Sequence, residues 1–369
     1  MKSRAFAVVV FGALALAAAA QLSRPIGSSD TPPASPVRGV WMHPGFFGPD
    51  RTAALEKMGT TLDAYVRAGI NTLIMLVKNT SGHVYYASER GVADQAYDWD
   101  FFGAFLEEAQ ARGLEVHPWF CVFPESAILG RVREHPEWLI RSPKREMVGA
   151  VNPALPAVRA YEIGLMLELV RKYDVGWVHL DYIRFPCEPA EPYFSFDAET
   201  LRLFRADTGI DMAQVAARDT GNPHWNAWLR WNTDRVTVFV RELRAALGAT
   251  GRRIRISAAV FPDAASARVM IGQDWAAWGR EGLVDMLNPM LYTNDPATFE
   301  IFAREAVSWA SEKTLVCPGI GIGTSHNRNT PEGMLEQMRI SRDLGAGGVV
   351  FFSSSSLTRP FLEALKTPF

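Results

Sequence analysis

The sequence has few cysteines, no excess of charge of one sign and none of the short motifs that mark several large enzyme classes. Its 369 residues include three cysteines and no Cys-x-x-Cys pair, which excludes a zinc ribbon. The formal net charge is -2, so bulk electrostatics does not favour nucleic acid as a partner. There is no G-x-G-x-x-G after the first predicted strand, no G-x-S-x-G and no H-E-x-x-H. The sequence therefore gives no support to a dinucleotide site, a serine-hydrolase elbow or a zincin site.

The three cysteines, Cys121, Cys187 and Cys317, are an odd number. In an exported protein an odd count leaves at least one thiol free unless it pairs between chains. Cys121 and Cys187 fall at the ends of the third and fourth predicted strands. A disulfide between them and two reduced thiols are equally compatible with the sequence.

The N-terminus has the pattern of an export signal. Lys2 and Arg4 precede a run of small and apolar residues that ends in an A-x-A site at 18–20. We predict a signal peptide over 1–20, a Ser- and Pro-rich linker over 21–36 and a folded domain over 37–369. The run is short for a membrane span, which needs about 20 residues. The expected location is periplasmic, cell-surface or secreted, without membrane attachment after cleavage; an uncleaved anchor is the alternative.

From residue 38 onward, eight short apolar runs alternate with helical patterns. Such alternation predicts a parallel sheet covered by helices, and eight units predict a (β/α)8 barrel. An open doubly wound sheet is the alternative. The predicted strands are 38–43, 72–78, 115–122, 176–186, 253–260, 285–292, 314–318 and 348–353, and the main predicted helices are 52–68, 99–112, 156–173, 228–247, 296–311 and 331–344.

Polar side chains collect at the predicted carboxyl ends of the strands, where barrel enzymes have their active sites. Because side chains alternate along a strand, His179 and Asp181 should share the inner face of the fourth strand. The same rule turns Asp263 inward if Ser257 and Ala259 line the barrel. The candidate substrate-binding residues are His43, Lys78, His117, Trp119, His179, Tyr182, Arg184, Asn288 and Tyr292.

Two carboxylates that flank a cleft are what glycoside hydrolysis requires. Asp181 is the first catalytic candidate and Asp263 the second; Glu125, Glu188 and Asp295 come behind them. Each of the two has a structural alternative. Asp181 could form a salt bridge with Arg184 or Lys78 at the barrel rim, and Asp263 could cap a helix.

A metal site is the competing interpretation of the histidines. His43, His117, His179 and Asp181 could converge as nitrogen and oxygen ligands. The first strand, however, has no His-x-His pair. We therefore predict no metal and no cofactor, and expect these imidazoles to hydrogen-bond to substrate or to the acid.

Several segments resemble the glycosyl-hydrolase-like family 10. The most specific is NPALPAVRAYEIGLMLELVRKYDVGWVHLDYIRFP, which leads through the fourth strand; the others are RGVWMHP, LVKNTSGHVYYAS, RGLEVHPWF, ISAAVFPD, DMLNPMLYTND and GGVVFFSSSSL. The resemblance implies a (β/α)8 barrel that acts on bacterial polysaccharide, in one branch on peptidoglycan glycan strands without stem peptides. It also implies that Asp181 is an active-site acid.

The expected function is that of an exported glycoside hydrolase whose partner is a polysaccharide or oligosaccharide substrate. A non-catalytic carbohydrate-binding barrel is the first alternative. A metal-dependent polysaccharide hydrolase or deacetylase is the second.

Overall fold

Parallel strands recur at regular intervals along the chain and form the wall of a barrel. In the computed structural model the described residues are 35–142, 146–188, 191–192, 194–212, 215, 219, 221–309, 311 and 313–366. Within them the wall strands are β1 Val37–Met42, β2 Thr72–Lys78, β3 Glu115–Cys121, β4 Trp177–Asp181, β5 Arg255–Val260, β6 Met286–Pro289, β7 in two segments, Leu315–Val316 and Gly319–Gly321, and β8 Gly348–Phe352.

The wall closes on itself. Successive strands pair in parallel from β1 to β6, and β8 pairs with β1. The two segments of β7 complete the ring, since Leu315–Val316 pairs with β6 and Gly319–Gly321 pairs with β8. The predicted (β/α)8 barrel is confirmed, and the sheet is not open, because the two segments of β7 join its β6 edge to its β8 edge.

Helices connect the strands and cover the outside of the wall. Many begin at an Asp, Asn or Thr whose side chain accepts a hydrogen bond from a backbone N–H of the first turn, as Asp50 does from Ala53. The helices are α1 Arg51–Arg67, α2 Phe101–Gln110, α3 Gly130–Glu134, α4 Pro156–Lys172, α5 Ala198–Thr208, α6 Pro223–Gly248, α7 Ala264–Ile271, α8 Trp275–Glu281, α9 Pro296–Ser308, α10 Pro331–Asp343 and α11 Arg359–Ala364.

The connections carry short elements that the sequence patterns did not predict. His83–Val84 runs antiparallel to the end of β2 and pairs with Val92–Ala93. Leu139–Arg141 and Met147–Val151 form a hairpin after β3, and Cys187–Glu188 pairs with Glu191–Pro192 after β4. Single 3-10 turns occur at Pro44–Phe46 and Pro136–Trp138.

Strand alternation divides the apolar side chains into two clusters. The larger cluster packs the outer face of the wall against the helices and includes Val178 and Leu180. The smaller cluster fills the barrel interior with Trp41, Leu76, Trp119, Cys121, Trp177, Ala259, Met286 and other residues. Ala259, Trp119 and Cys121 are therefore inward, as alternation predicts.

The predicted signal peptide and most of the predicted linker, residues 1–34, lie outside the described residues. Among the helices that are described, none combines the length and apolarity needed to cross a bilayer. All three cysteines are free: Cys121 and Cys317 are buried and Cys187 is exposed. The disulfide between Cys121 and Cys187 that the sequence left open is therefore not formed.

Candidate active site

Asp181 is the last residue of β4 and lies at the carboxyl end of the barrel. Its side chain is only 8% exposed. Oδ1 accepts a hydrogen bond from the backbone N–H of Tyr182 at 2.6 Å and lies 3.2 Å from Nη1 of Arg184. Both contacts fall on the same oxygen, so the carboxylate is held in one orientation while Oδ2 has no hydrogen-bond partner among the described residues.

Tyr182 and Arg184 follow Asp181 and form one face of the site. Tyr182 has a φ of 50°, a left-handed conformation that costs a residue other than glycine on the order of 1–3 kcal/mol. Its ring is partly exposed, and the Arg184 guanidinium carbon lies 4.3 Å from the ring centre. The guanidinium also lies 5.0 Å from the ring of Phe261. Arg184 is thus fixed between two aromatic rings and the Asp181 carboxylate.

Tyr292 and His43 follow β6 and β1, and both interact electrostatically with Asp181. Burial raises the pKa of the Tyr292 hydroxyl well above its usual value, and the negative charge of Asp181 adds to the effect. Burial lowers the pKa of His43, and the charge of Asp181 partly offsets this. Tyr292 stacks on Phe352 with ring centres 5.3 Å apart. A neutral phenol and a largely neutral imidazole therefore flank the carboxylate.

Trp119 and Asn288 lie lower on the inner wall. Trp119 makes an edge contact with His43, with ring centres 4.9 Å apart, and its buried Nε1 has no hydrogen-bond partner among the described residues. Asn288 donates from Nδ2 to the carbonyl of Cys317 at 3.1 Å, whereas its buried Oδ1 is unpartnered. A buried polar group without a partner costs about 1–3 kcal/mol.

Below Asp181, a chain of hydrogen bonds links two imidazoles through Ser257. Trp41 donates from Nε1 to Nε2 of His179 at 3.1 Å. Nδ1 of His179 and Nδ1 of His117 each lie 2.9 Å from the Ser257 hydroxyl oxygen. Because Nε2 of His179 accepts, its Nδ1 carries the proton and donates to Ser257, which in turn donates to His117. This order of donors and acceptors assigns the proton of His179 to Nδ1 and that of His117 to Nε2.

The chain of hydrogen bonds ends at Glu115, at the amino end of the barrel. Nε2 of His117 lies 3.5 Å from Oε2 of Glu115, and Nη2 of Arg255 lies 2.8 Å from its Oε1. Burial alone raises the pKa of Glu115, but the contacts with His117 and Arg255 outweigh it and bring the pKa to about 2. Burial lowers the pKa of His117, and that of His179 lies well below its usual value. Both imidazoles are therefore neutral at physiological pH.

Lys78 occupies a buried position in the wall instead of the barrel mouth. A register shift between Leu76 and Lys78 turns its side chain away from the inner face. The ammonium is 2.9 Å from Glu125 and 3.2 Å from Glu162, and all three side chains are at most 1% exposed. Gly82 has a φ of 94°, and a Cβ there would collide with Oε2 of Glu125, so the position favours glycine. The geometry thus gives Lys78 protein carboxylates as partners where the sequence suggested a substrate.

The buried carboxylates change the protonation of this cluster. Burial raises the pKa of Glu162 to about 8, although the charge of Lys78 acts in the opposite direction. Burial also lowers the pKa of Lys78, but the two carboxylates outweigh it and raise the pKa overall. The cluster is therefore a buried structural ion pair, in which the raised pKa keeps Glu162 largely protonated at neutral pH.

The other candidate carboxylates occupy structural positions. Asp263 caps α7, where its Oδ1 accepts from Ser266 N at 2.6 Å. Burial raises the pKa of Glu305 on α9, and the charge of Asp263 adds to the effect. Asp295 caps α9 and is exposed. The side chain of Glu188 lies outside the described residues. Asp181 is therefore the candidate acid whose surroundings are those of a barrel mouth.

The histidines do not converge on a common centre. His117 and His179 direct Nδ1 to Ser257, and His179 directs Nε2 to Trp41. No group of three or more His, Cys, Asp or Glu residues is arranged to hold a metal ion in the part of the chain that the structure describes.

Two residues that organise the site were not among the candidate site residues predicted from the sequence. Trp41 orients His179, and Ser257 joins the two imidazoles. Both lie at inward positions by alternation, and Trp41 is two residues before His43. That spacing was the available signal, but the partners come from strands far apart in the chain.

The chain matches the family described as Glycosyl hydrolase-like 10 over residues 36–338. It is 21% identical over 277 residues to glycosyl hydrolase YngK of Bacillus subtilis (strain 168), an alignment that covers 66% of this chain and 50% of YngK. It is 26% identical over 220 residues to glycosyl hydrolase DigH of Escherichia coli (strain K12), covering 46% of this chain and 49% of DigH. The chain spans about half the length of these curated relatives.

Solved structures of glycoside hydrolases have a similar fold. The glycoside hydrolase domain of PgaB (BpsB) from Bordetella bronchiseptica matches with a TM-score of 0.70 and 15% identity, covering 90% of this chain and 98% of that domain. The catalytic domain of a β-amylase from Paenibacillus polymyxa matches with a TM-score of 0.62 and 11% identity, covering 89% and 96%. At these identities the likeness concerns the fold.

Proposed function

Because the chain belongs to the glycosyl hydrolase-like 10 family, we propose that it is an exported glycoside hydrolase that cleaves glycosidic bonds in a bacterial polysaccharide, such as peptidoglycan glycan strands. The observation that carries the chemistry is the placement of Asp181, which is buried at the carboxyl end of β4 with one oxygen fixed and the other unpartnered. Export is proposed from the pattern of residues 1–20, and the polymer from the family resemblance.

Asp181 has the chemistry for proton transfer at a glycosidic oxygen. The Tyr182 N–H and Arg184 hold Oδ1, so Oδ2 is the oxygen that can reach the substrate. A positioned acid or base contributes typically 10²–10⁴-fold to rate. Fixing the carboxylate before the substrate arrives removes part of the entropic cost of bringing the reacting groups together.

The groups around Asp181 suit a sugar ring. The phenol of Tyr292 and the imidazole of His43 can exchange hydrogen bonds with hydroxyl groups, while Tyr182 presents a partly exposed ring. Trp119 and Asn288 lie beneath these groups and are buried, so their polar atoms are out of reach of a sugar in this conformation. We propose that Tyr292, His43 and Tyr182 bind and orient the substrate.

The proposal is tested with Asp181→Asn, which keeps the shape of the side chain but removes its ability to carry the proton. We expect the loss of at least 10²-fold in kcat/KM in a glycan-degradation screen that includes peptidoglycan freed of stem peptides. Asp50→Asn is the matched control, because Asp50 caps α1 and its side chain is exposed. Full activity of folded Asp181→Asn on a substrate that the native protein cleaves would overturn the proposal.

Asp263→Asn tests the predicted second carboxylate in the same screen. A loss comparable to that of Asp181→Asn would give Asp263 a catalytic role. The contacts of Asp263 with Ser266 N and its proximity to Glu305 favour the helix cap.

A non-catalytic carbohydrate-binding barrel is the second candidate function. It is favoured by the structural positions of Asp263, Asp295 and Glu125, since hydrolysis by two carboxylates needs a partner for Asp181. In that case the native protein and Asp181→Asn would bind a glycan equally and neither would cleave it.

A further inference from the structure

The connection from β2 to α2, residues 79–100, carries a row of partly exposed aromatic rings. Tyr85 and Tyr97 meet edge to face with ring centres 5.4 Å apart, and Tyr97 lies 6.2 Å from Trp99. Trp99 is fixed by a hydrogen bond from its Nε1 to the carbonyl of Pro49, in the connection from β1 to α1. The proposed chemistry at Asp181 uses none of these rings.

The contrast with Tyr86 shows that the row is not simply core. Tyr86 is 2% exposed, and its hydroxyl donates to the carbonyl of Leu165. Tyr85, Tyr97 and Trp99 are in contact with the apolar core on one side, yet each remains partly exposed. Their exposed surfaces are therefore available to a ligand.

Two surface hollows meet at Trp99. One, of about 400 Å³, is lined by Tyr85, Tyr97 and Trp99, and the other, of about 670 Å³, continues along α2 past Gly103. Both are bordered by Trp99, Asp100 and Lys172, so they form one trough. Each has the volume of an ordinary small-molecule site.

Tyr85 lies between the trough and the barrel interior. This ring also packs against the apolar cluster inside the barrel. Its hydroxyl accepts a hydrogen bond from Nδ2 of Asn79 at 2.9 Å, and Asn79 directly follows the last residue of β2. A polysaccharide that leaves the barrel mouth over this edge would contact Tyr85 first, and then Tyr97 and Trp99.

The lining suits sugar rings. A sugar presents an apolar C–H face, which stacks on an aromatic ring, and an edge of hydroxyl groups. The carboxylates of Asp94 and Asp98 border the same hollow and can accept from hydroxyl groups, and Lys172 can donate. Rings combined with both acceptors and a donor distinguish this surface from an apolar protein-docking patch.

We propose that Tyr85, Tyr97 and Trp99 form an outer sugar-binding subsite that holds a polysaccharide chain beside the barrel mouth. This inference rests on the proposed function and deepens it, because it assigns the site to polymers instead of short oligosaccharides. The subsite binds sugars distant from the cleaved bond, so its contribution depends on chain length.

The test compares Trp99→Ala and Tyr97→Ala with the native chain. Co-sedimentation with insoluble chitin, cellulose and purified peptidoglycan measures binding, and kcat/KM on long and disaccharide substrates of whichever glycan is cleaved measures the effect on turnover. Loss of one stacking contact should weaken binding to the polymer about tenfold and reduce kcat/KM on the polymer by a similar factor, while leaving the disaccharide unaffected. Trp309→Ala is the matched control, because Trp309 is also partly exposed but ends α9, where Arg280 covers its ring.

Three outcomes would overturn the subsite. They are unchanged polymer binding by both folded variants, equal losses on long and short substrates, and absence of binding of the native chain to all three polymers. If Trp99→Ala does not fold, the polymer binding of Tyr97→Ala tests the subsite. Failure of the proposed function is separate: Asp181→Asn would then keep its cleavage activity, whereas the binding measurement would still report on Trp99.

Discussion

Replacing Ser257 by alanine removes one hydroxyl group that serves two buried imidazoles. Nδ1 of His179 donates to this oxygen and Nδ1 of His117 accepts from it, each at 2.9 Å. Ser257, His117 and His179 are all 0% exposed, so water does not readily replace the lost partner. Alanine fits the inner face of β5, as the neighbouring Ala259 does.

The expected loss of stability follows from the two groups left unsatisfied. A buried donor or acceptor without a partner costs about 1–3 kcal/mol, so the two imidazole nitrogens together cost about 2–6 kcal/mol. We expect Ser257→Ala to lower the free energy of unfolding by this amount. For a domain of this size that corresponds to a fall of roughly 3–9 °C in Tm.

Urea denaturation at pH 7.5, followed by tryptophan fluorescence, measures the change. Ser341→Ala is the matched control. Ser341 is also buried, but its hydroxyl donates to the carbonyl of Gln337 within α10, so its removal leaves no side chain without a partner. A loss for Ser257→Ala no larger than that for Ser341→Ala would refute the assignment of Ser257 as the bridge between the imidazoles.

Two other predictions concern buried charges. Lys78→Met leaves Glu125 and Glu162 without their cation and should destabilise the fold by about 3–5 kcal/mol, measured by urea denaturation; a loss below 1 kcal/mol would contradict the buried ion pair. The low pKa values of the buried histidines mean that the unfolded chain binds more protons, so stability is fully present above about pH 6.5 and falls as the pH decreases below it. Each such imidazole contributes up to about 1.4 kcal/mol per pH unit, while Glu162, with a pKa near 8, acts in the opposite sense. Because the two effects oppose each other between pH 7.5 and pH 5.5, the histidine effect is measured in the Glu162→Gln variant, in which an identical urea midpoint at these two pH values would refute the prediction.

Much of the barrel is predictable from the chain because its signals are local. Apolar strands alternate with helical patterns, and the two-residue period assigns inward and outward faces. That period correctly turned His117, Trp119 and Cys121 inward on β3 and His179 inward on β4. The predicted end of α1 at 68 differs from Arg67 by one residue, which is the usual uncertainty of a helix end.

The predictions from the sequence that the structure corrects lie where a strand is irregular. Lys78 follows the parity of Leu76 in sequence, but a register shift between them directs its ammonium to Glu125 and Glu162. Gly319–Gly321 looks like a loop because it is rich in glycine and follows a proline, yet it pairs with β8 and completes the ring. A bulge leaves no periodic pattern in the sequence, and neither does a short strand whose conformation depends on its pairing with a neighbouring strand.

The sequence by itself determined the alternation that closes into a barrel, the family, and the position of Asp181 at the end of β4. Only the tertiary structure decided which distant groups meet: Ser257 with two imidazoles, Lys78 with two glutamates, and Tyr85 with Trp99 by way of Tyr97. The physical reason is that periodicity is set by the backbone of each element, whereas hydrogen-bond and ion-pair partners depend on strand register and on connections that bring separate segments together.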